Sequence, residues 1–207
     1  MKSLTVLLLF ALSVATYAET EFFNQGKTRW KIGISPDATA VEKYAAEELR
    51  NTLKKISGAD FPVIAVDANP AKGTILIGTP GTADFIKKQA EKLQISDGKT
   101  EEITVRTMDG NLYLAGNQPR AALYAVYSFL QNQLDVRWFW PGDDGEFLPA
   151  LKQWNLNNVN YKFRPVFRFR EMIPISLTSG SSRIAGKDTI LEDLVRQIEI
   201  KLRMLFK

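Results

Sequence analysis

Apolar and polar residues recur along this chain at the spacings of short strands and amphipathic helices. Residues 28–35 (TRWKIGIS) alternate apolar and polar side chains, which predicts a strand. Residues 39–58 place apolar side chains three and four positions apart, which predicts a helix with one buried face. Thr39 and Glu42 match a capping box, in which each side chain accepts a hydrogen bond from the other residue's backbone N–H. Gly58 suits the left-handed residue that ends many helices, so local signals mark both ends of this helix.

The same pattern continues with two strands, a helix and a hairpin. Residues 61–68 and 73–80 are rich in β-formers and flank a turn-like NPAKG, so each predicts a strand. Residues 82–94 have helical spacing and predict a second helix. Residues 101–116 alternate on both sides of the Asp-Gly pair at 109–110, a pair that readily adopts the positive φ angles of a tight turn. This last segment therefore predicts an antiparallel hairpin.

A third helix and an aromatic segment follow the hairpin. The helix begins at Pro119, whose missing N–H costs nothing at a helix's first position. Residues 136–140 (VRWFW) are interpreted as a strand, and because successive strand residues point to opposite faces, Trp138 and Trp140 share one face and Phe139 takes the other. A strand that is apolar on both faces is typical of the centre of a sheet, so we expect both indoles in the core. A sugar-binding platform made by the same rings is the alternative.

The order of these elements predicts the α+β class. We expect a two-layer sandwich in which three helices cover a mixed sheet of about six strands, followed by a C-terminal extension. The extension contains a linker with one short strand, a strand at 166–169 and an amphipathic helix with a capping box at Thr189 and Glu192. The predicted domain spans 19–160, and 161–207 is the start of a truncated catalytic region or a tail.

The beginning of the chain has the three parts of a secretory signal peptide. Lys2 gives a basic start, an apolar run follows, and small residues precede the end at Ala18. A transmembrane span needs about 20 apolar residues, and Glu19 ends this run before that length. We therefore expect 1–18 to be cleaved and the protein to be exported to the periplasm or the extracellular space. No stable membrane insertion is expected after cleavage.

Composition excludes several kinds of chemistry. The 207 residues are 45% hydrophobic and 24% charged, which is ordinary for a globular protein, and they include neither histidine nor cysteine. This excludes the usual zinc sites, Ser-His-Asp and Cys-His catalysis, and disulfides. We expect no cofactor and no metal. The formal charge of +4 comes from scattered basic residues, so nucleic-acid binding is not expected.

Carboxylates remain available for hydrolytic chemistry, because glycoside hydrolysis needs only two of them. Asp143, Asp144 and Glu146 lie together in the segment PGDDGEF. Asp and Gly are also the ordinary residues of turns, and nothing in the sequence pairs these acids with a distant partner. We therefore interpret the segment as a turn and identify no catalytic residue.

Four segments carry a resemblance to a known enzyme family: EKYAAEELRNTLKKISGADFPV, ILIGTP, GNLYLAGNQPRAALYAVYSFLQNQLDVRWFWPGDDGEFLP and FRPVFRFRE. In this order and spacing they resemble the N-terminal domain of alpha-glucuronidase-like glycoside hydrolases, a domain related to domain 2 of beta-hexosaminidases. The resemblance covers residues 30–170, and 119–142 is its most specific part.

This resemblance implies a non-catalytic domain, a mixed sheet with helices, whose catalytic acids lie in a barrel that follows it. Arg168 and Arg170 are then expected on the substrate side. Arg120 and Arg137 are expected to contact the barrel, and Trp140 is a substrate-side or interdomain residue. Beyond the resemblance the chain departs from the family pattern, and a barrel of about 250 residues does not fit in what remains.

The resulting expectation is an exported accessory domain of a glycoside hydrolase-type protein in carbohydrate metabolism, inactive alone because the barrel is missing. Carbohydrate would be met through that missing or separate catalytic domain. A free-standing carbohydrate-binding module that uses Trp138 or Trp140 is one alternative. A protein-interaction module whose final helix completes a partner is the other.

Overall fold

The computed structural model describes residues 20–165, except residues 97, 99 and 141 and the side chain of residue 143. The strands are β1 (Thr20–Asn24), β2 (Lys31–Ile34), β3 (Val63–Ala65), β4 (Thr74–Gly78), β5 (Ile103–Met108), β6 (Asn111–Gly116), β7 (Arg137–Trp138), β8 (Glu146–Phe147), β9 (Gln153–Leu156) and β10 (Asn160–Phe163). The helices are α1 (Ala40–Ser57), α2 (Asp84–Lys87), α3 (Ala90–Leu93) and α4 (Pro119–Leu134), with a 3-10 turn at Asp143–Gly145.

A six-stranded mixed sheet lies at the centre of the domain, in the order β10-β5-β6-β4-β2-β3. The strands β3, β2, β4 and β6 run parallel. The other two strands are antiparallel additions at one side, β5 to β6 and β10 to β5. Two small antiparallel ribbons, β1 with β9 and β7 with β8, lie outside this sheet. The predicted α+β sandwich with a mixed sheet of about six strands is therefore confirmed.

The two long helices, α1 and α4, cover one face of the sheet and pack against each other. Ile75 and Ile77 of β4 point into the core beneath them. Leu76, between those two residues, points to the opposite face, where the single helical turns α2 and α3 cover it. This alternation follows from the two-residue period of a strand, and it gives the sheet two buried faces.

Local signals in the sequence placed the ends of α1 and the hairpin correctly. The Glu42 N–H donates to Thr39 Oγ1 at 3.3 Å and the Thr39 N–H donates to Glu42 Oε2 at 2.8 Å, which is the predicted capping box. Gly58 ends the helix in the left-handed conformation at φ 73°. The β5–β6 hairpin turns through Asp109 (φ 54°) and Gly110 (φ 81°), as the Asp-Gly pair predicted.

Helix α4 begins at Pro119, as predicted, and is buried on every side over residues 121–130. The β1–β9 ribbon covers its outer surface. Phe22 of β1 lies 6.1 Å from Phe129 of α4 and 5.2 Å from Trp154 of β9, measured between ring centroids. The ribbon therefore turns α4 from a surface helix into a central one.

Two predicted elements differ from the structure. The helix predicted at 82–94 is two single turns, α2 and α3, because Gln89 leaves the helical conformation (φ −107°, ψ 6°). The predicted linker after the aromatic segment contains two strands, β9 and β10, because each finds a partner far along the chain, β1 and β5 respectively. The second difference comes from pairing between distant strands, which local patterns do not encode.

Three predictions concern residues outside the described part of the chain and stay predictions. These are the signal peptide at 1–18, the strand at 166–169 and the C-terminal amphipathic helix. Within residues 20–165, no helix is long and apolar enough to cross a membrane.

Candidate functional site

The aromatic segment VRWFW lies in a small hairpin and not in the centre of the sheet. Strand β7 contains only Arg137 and Trp138 and pairs with β8. Trp138 is buried at 3% exposure, whereas Phe139 and Trp140 are 48% and 57% exposed. The expectation that both indoles lie in the core is therefore correct for Trp138 and wrong for Trp140. The strand ends at Trp138, so the alternation assumed along the whole segment stops there.

Phe139, Trp140 and Phe147 are exposed on this hairpin, and we call them the aromatic surface. The rings of Phe139 and Trp140 lie 6.1 Å apart at an interplanar angle of 40°. Phe147, on β8, is 48% exposed and was not among the residues singled out from the sequence. Exposed apolar side chains that lie close together are a common sign of an interaction site. The arrangement suits contact with another molecule.

Glycines shape the turn that joins β7 to β8. The Phe139 N–H donates to the Gly145 carbonyl at 2.9 Å, and Gly142 has a φ of 98°. A Cβ added at Gly145 would lie 2.0 Å from the carbonyl oxygen of Trp140, so only glycine fits there. The segment Asp143–Gly145 is a 3-10 turn, which confirms its interpretation as a turn. The hydrogen bond between Phe139 and Gly145 closes this turn around Trp140.

Trp138 and Glu146 connect the hairpin to the two long helices, Trp138 to α4 and Glu146 to α1. The Trp138 indole N–H donates to Glu146 Oε1 at 3.2 Å, and its ring meets Tyr127 of α4 edge-on, with centroids 5.2 Å apart at 84°. Glu146 Oε2 lies 3.2 Å from Lys55 Nζ of α1. Glu146 therefore holds the hairpin in place.

The remaining candidates from the sequence give no catalytic arrangement in the described part of the chain. Asp144 is exposed, and the side chain of Asp143 lies outside the description. Among the described residues, no group of three His, Cys, Asp or Glu side chains could hold a metal ion. Arg168 and Arg170 also lie outside the described residues, so their predicted substrate-side position stays a prediction.

Arg137 lies beside the aromatic surface and is fixed at the C-terminal end of α4. Its Nη1 donates to the backbone carbonyls of Gln131 at 2.7 Å and Val136 at 2.9 Å. Its Nη2 pairs with Asp135 at 2.5 Å. A positive charge is favourable at this end of a helix, where the carbonyls carry partial negative charge. Arg137 is opposite Phe147 in the β7–β8 pairing, and its guanidinium is held by the Gln131 and Val136 carbonyls and by Asp135.

Arg120 lies at the other end of α4, where it forms an ion pair with Glu101. Partial burial on its own would lower the pKa of the Arg120 guanidinium. The pKa is nevertheless raised, chiefly because of the hydrogen bond with Glu101. From Arg120 to the last residue of α4 the helix advances about 21 Å, at about 1.5 Å per residue. The structure therefore does not bring Arg120 together with Arg137 and Trp140.

Comparison with known proteins gives only weak relations. No family model matches the chain, and no curated protein matches it. One similar solved structure is a family GH115 4-O-methyl-alpha-glucuronidase with specificity for decorated arabinogalactans, with 17% identity, a TM-score of 0.47, and coverage of 68% of this chain and 18% of that one. Another is CpGH84D, with 15% identity, a TM-score of 0.36, and coverage of 69% of this chain and 22% of that one. The chain spans about a fifth of the length of each, and the similarity to these glycoside hydrolases is a loose one.

Proposed function

We propose that this protein is a non-catalytic accessory domain of carbohydrate metabolism that docks on a catalytic glycoside hydrolase barrel through the aromatic surface. In this proposal it acts after export, once residues 1–18 have been removed. The observation that carries the docking is the exposure of Phe139 and Trp140, at 48% and 57%, on a hairpin anchored to the core through Trp138.

The sequence resemblance and the chemistry of the surface support this proposal together. The most specific part of the resemblance, 119–142, is the stretch that forms α4 and leads into the aromatic surface. The buried centres of protein interfaces are rich in aromatic residues and arginine, and poor in lysine and aspartate. Phe139, Trp140 and Arg137 supply the aromatic and arginine residues of such a surface, and Arg137 is also ion-paired with the exposed Asp135.

Fluorine NMR of the full chain labelled with 5-fluorotryptophan tests the docking. The chain has four tryptophans, and a Trp140→Phe variant identifies the resonance of Trp140. The added partner is an unlabelled alpha-glucuronidase catalytic barrel prepared without its own N-terminal domain. We expect the Trp140 resonance to shift or broaden on addition of the barrel, while that of buried Trp138 stays unchanged.

Variants distinguish specific docking through this surface from non-specific hydrophobic association. Phe139→Ser and Phe147→Ser should each weaken the association about tenfold, as expected for aromatic residues near the centre of an interface. Phe163→Ser is the matched control, because Phe163 is 45% exposed on β10, away from the hairpin. An unperturbed Trp140 resonance, or equal losses in the control, would contradict the docking.

The non-catalytic part of the proposal has its own test. The purified chain should give no turnover of aryl glucuronides or aryl N-acetylhexosaminides. Reproducible turnover that co-purifies with the chain would contradict a non-catalytic role.

A free-standing carbohydrate-binding module is the second candidate, and the 57% exposure of Trp140 beside the Phe139 ring favours it. The same labelled sample is titrated with uronic acids and oligosaccharides in the absence of any barrel. A saturable shift of Trp140 with sugar alone would favour this function over docking. No response to sugar together with a response to the barrel would favour docking.

A further inference from the structure

A cleft at the end of the β5–β6 hairpin is separate from the aromatic surface and shares no residue with it. Its volume is about 580 Å³, within the range of pockets that bind small molecules. Its walls come from the hairpin turn, the start of β1 and the connection from β9 to β10. The side chains that give it its chemistry are Trp30, Thr107, Asp109, Asn111, Asn157 and Asn158.

Hydrogen bonds to neighbouring groups hold part of this lining in place. The Thr107 hydroxyl donates to Asn158 Oδ1 at 3.0 Å and accepts from the Val159 N–H at 3.0 Å. Asn111 is 4% exposed, and its Oδ1 accepts from the Thr74 N–H at 3.0 Å. Side chains fixed before a ligand arrives lose less entropy when it binds, so this wall is preorganised.

The lining offers hydroxyl-directed chemistry with little charge. Asn111 Oδ1, Asn158 Oδ1 and the Thr107 hydroxyl are already hydrogen-bonded within the protein, which leaves the Asn157 carboxamide, the Asn158 N–H donors and the Asp109 carboxylate for a ligand. Of the described residues that line the cleft, none is a lysine or an arginine. Asn157, the Asn158 amide N–H groups and the Asp109 carboxylate can hydrogen-bond a molecule rich in hydroxyls. Among the described residues, the one charged side chain of this lining is acidic, although the side chain of Lys72 lies beside Gly110.

We propose that this cleft binds a neutral polyhydroxyl ligand of about the size of one hexose. Its size fits, since a pocket of about 580 Å³ holds a single sugar ring with room for bridging water. The site goes beyond the proposed docking function, because different residues form it and either can fail without the other.

Amide NMR spectra of the full chain, titrated with D-glucose and with D-galactose, test the proposal. We expect saturable shifts for Asp109, Gly110, Asn157 and Asn158 with at least one of the two hexoses. D-Glucuronate is the charged comparison and should bind more weakly than the better neutral hexose, because Asp109, the charged side chain of the lining, repels its carboxylate.

Two variants make the test specific. The double variant Asp109→Asn/Asn157→Ala removes the carboxylate and one exposed amide, and asparagine preserves the turn because it tolerates a positive φ. Loss of hydrogen bonds on this scale should weaken hexose binding about tenfold. Asp67→Asn is the matched control, since Asp67 follows β3 at the opposite edge of the sheet. The other resonances in each spectrum report that the variant is folded.

Each outcome decides the proposal. Shifts at the cleft that weaken in the double variant and persist in Asp67→Asn support it. The absence of saturable shifts at the cleft with both hexoses overturns it, as does equal binding by the double variant. Shifts confined to the neighbourhood of Trp140 also overturn it and assign the sugar to the aromatic surface. Tighter binding of D-glucuronate than of either hexose overturns the assignment to a neutral ligand.

Discussion

Replacing Trp138 with alanine tests whether the hairpin is anchored as the structure shows. Trp138 is 3% exposed, so truncation removes a large buried side chain, a change that costs about 3–5 kcal/mol in protein cores. That range includes the edge-on contact with Tyr127, which contributes about 1 kcal/mol, and the hydrogen bond to Glu146. Because a domain is stable by only about 5–15 kcal/mol, Trp138→Ala should remove at least about a fifth of the stability.

Trp138→Phe divides this cost into its parts. Phenylalanine keeps most of the ring packing but has no N–H for Glu146, so it should cost about 1–2 kcal/mol. Trp140→Ala is the matched control, since Trp140 is 57% exposed and surface substitutions change stability by about 0.5 kcal/mol or less.

Urea unfolding followed by far-UV circular dichroism measures these differences. Wild type and Trp140→Ala should have the same, highest urea midpoint, Trp138→Phe a lower one and Trp138→Ala the lowest. The dependence of the free energy of unfolding on urea concentration should be the same for all four proteins. If Trp138→Ala costs less than about 1 kcal/mol, or no more than Trp140→Ala, the hairpin is not anchored through this indole and the reasoning fails.

Three further predictions concern pH and turn geometry. Burial alone would raise the pKa of Glu102. The pKa is nevertheless lowered below its ordinary value of 4.5, chiefly because Lys162 donates a hydrogen bond to the carboxylate. Because the pKa of Glu102 is lower in the folded protein, its ionised form stabilises the fold at pH values above the ordinary pKa. This contribution is lost as the pH falls through the folded pKa. Glu102→Gln should therefore flatten the acid loss of stability in urea titrations between about pH 5 and 3, and an unchanged profile would contradict this. Gly145→Ala places a Cβ 2.0 Å from the Trp140 carbonyl oxygen and should lower stability by about 1–3 kcal/mol in thermal unfolding; an unchanged melting temperature would refute the clash. Asp109→Val should lower the melting temperature, because a β-branched residue is strained at φ 54°, whereas Asp109→Asn should not; equal melting temperatures would count against strain at this turn.

The elements that could be predicted from the sequence have their determinants close together in the chain. The Thr39–Glu42 capping box, Pro119 at the start of α4 and the Asp-Gly pair at 109–110 each act within a few residues. Because hydrogen bonds and backbone angles at these points are set locally, a pattern of a few residues identifies them.

The missed elements depend on contacts between distant parts of the chain. Strand β1 pairs with β9, more than a hundred residues later, and no local sequence pattern near either strand predicts this pairing. The Asn pair at 157–158 likewise reads as an ordinary connection, and it becomes part of a cleft only when the β5–β6 hairpin lies beside it. Arg120 and Arg137 looked equivalent in the sequence, yet the length of α4 separates them.

Trp138 and Trp140 show why composition alone could not assign the aromatic segment. The two indoles are two residues apart, and an extended strand would have placed them on one face. Trp138 is the indole that packs against Tyr127 and hydrogen-bonds Glu146. The chain turns directly after Trp138. The hydrogen bond from the Phe139 N–H to the Gly145 carbonyl closes this turn, and only glycine fits at 145 beside the Trp140 carbonyl. The exposure of Trp140 is therefore a consequence of how the hairpin packs, with Trp138 buried against α4 and the chain turning directly after it.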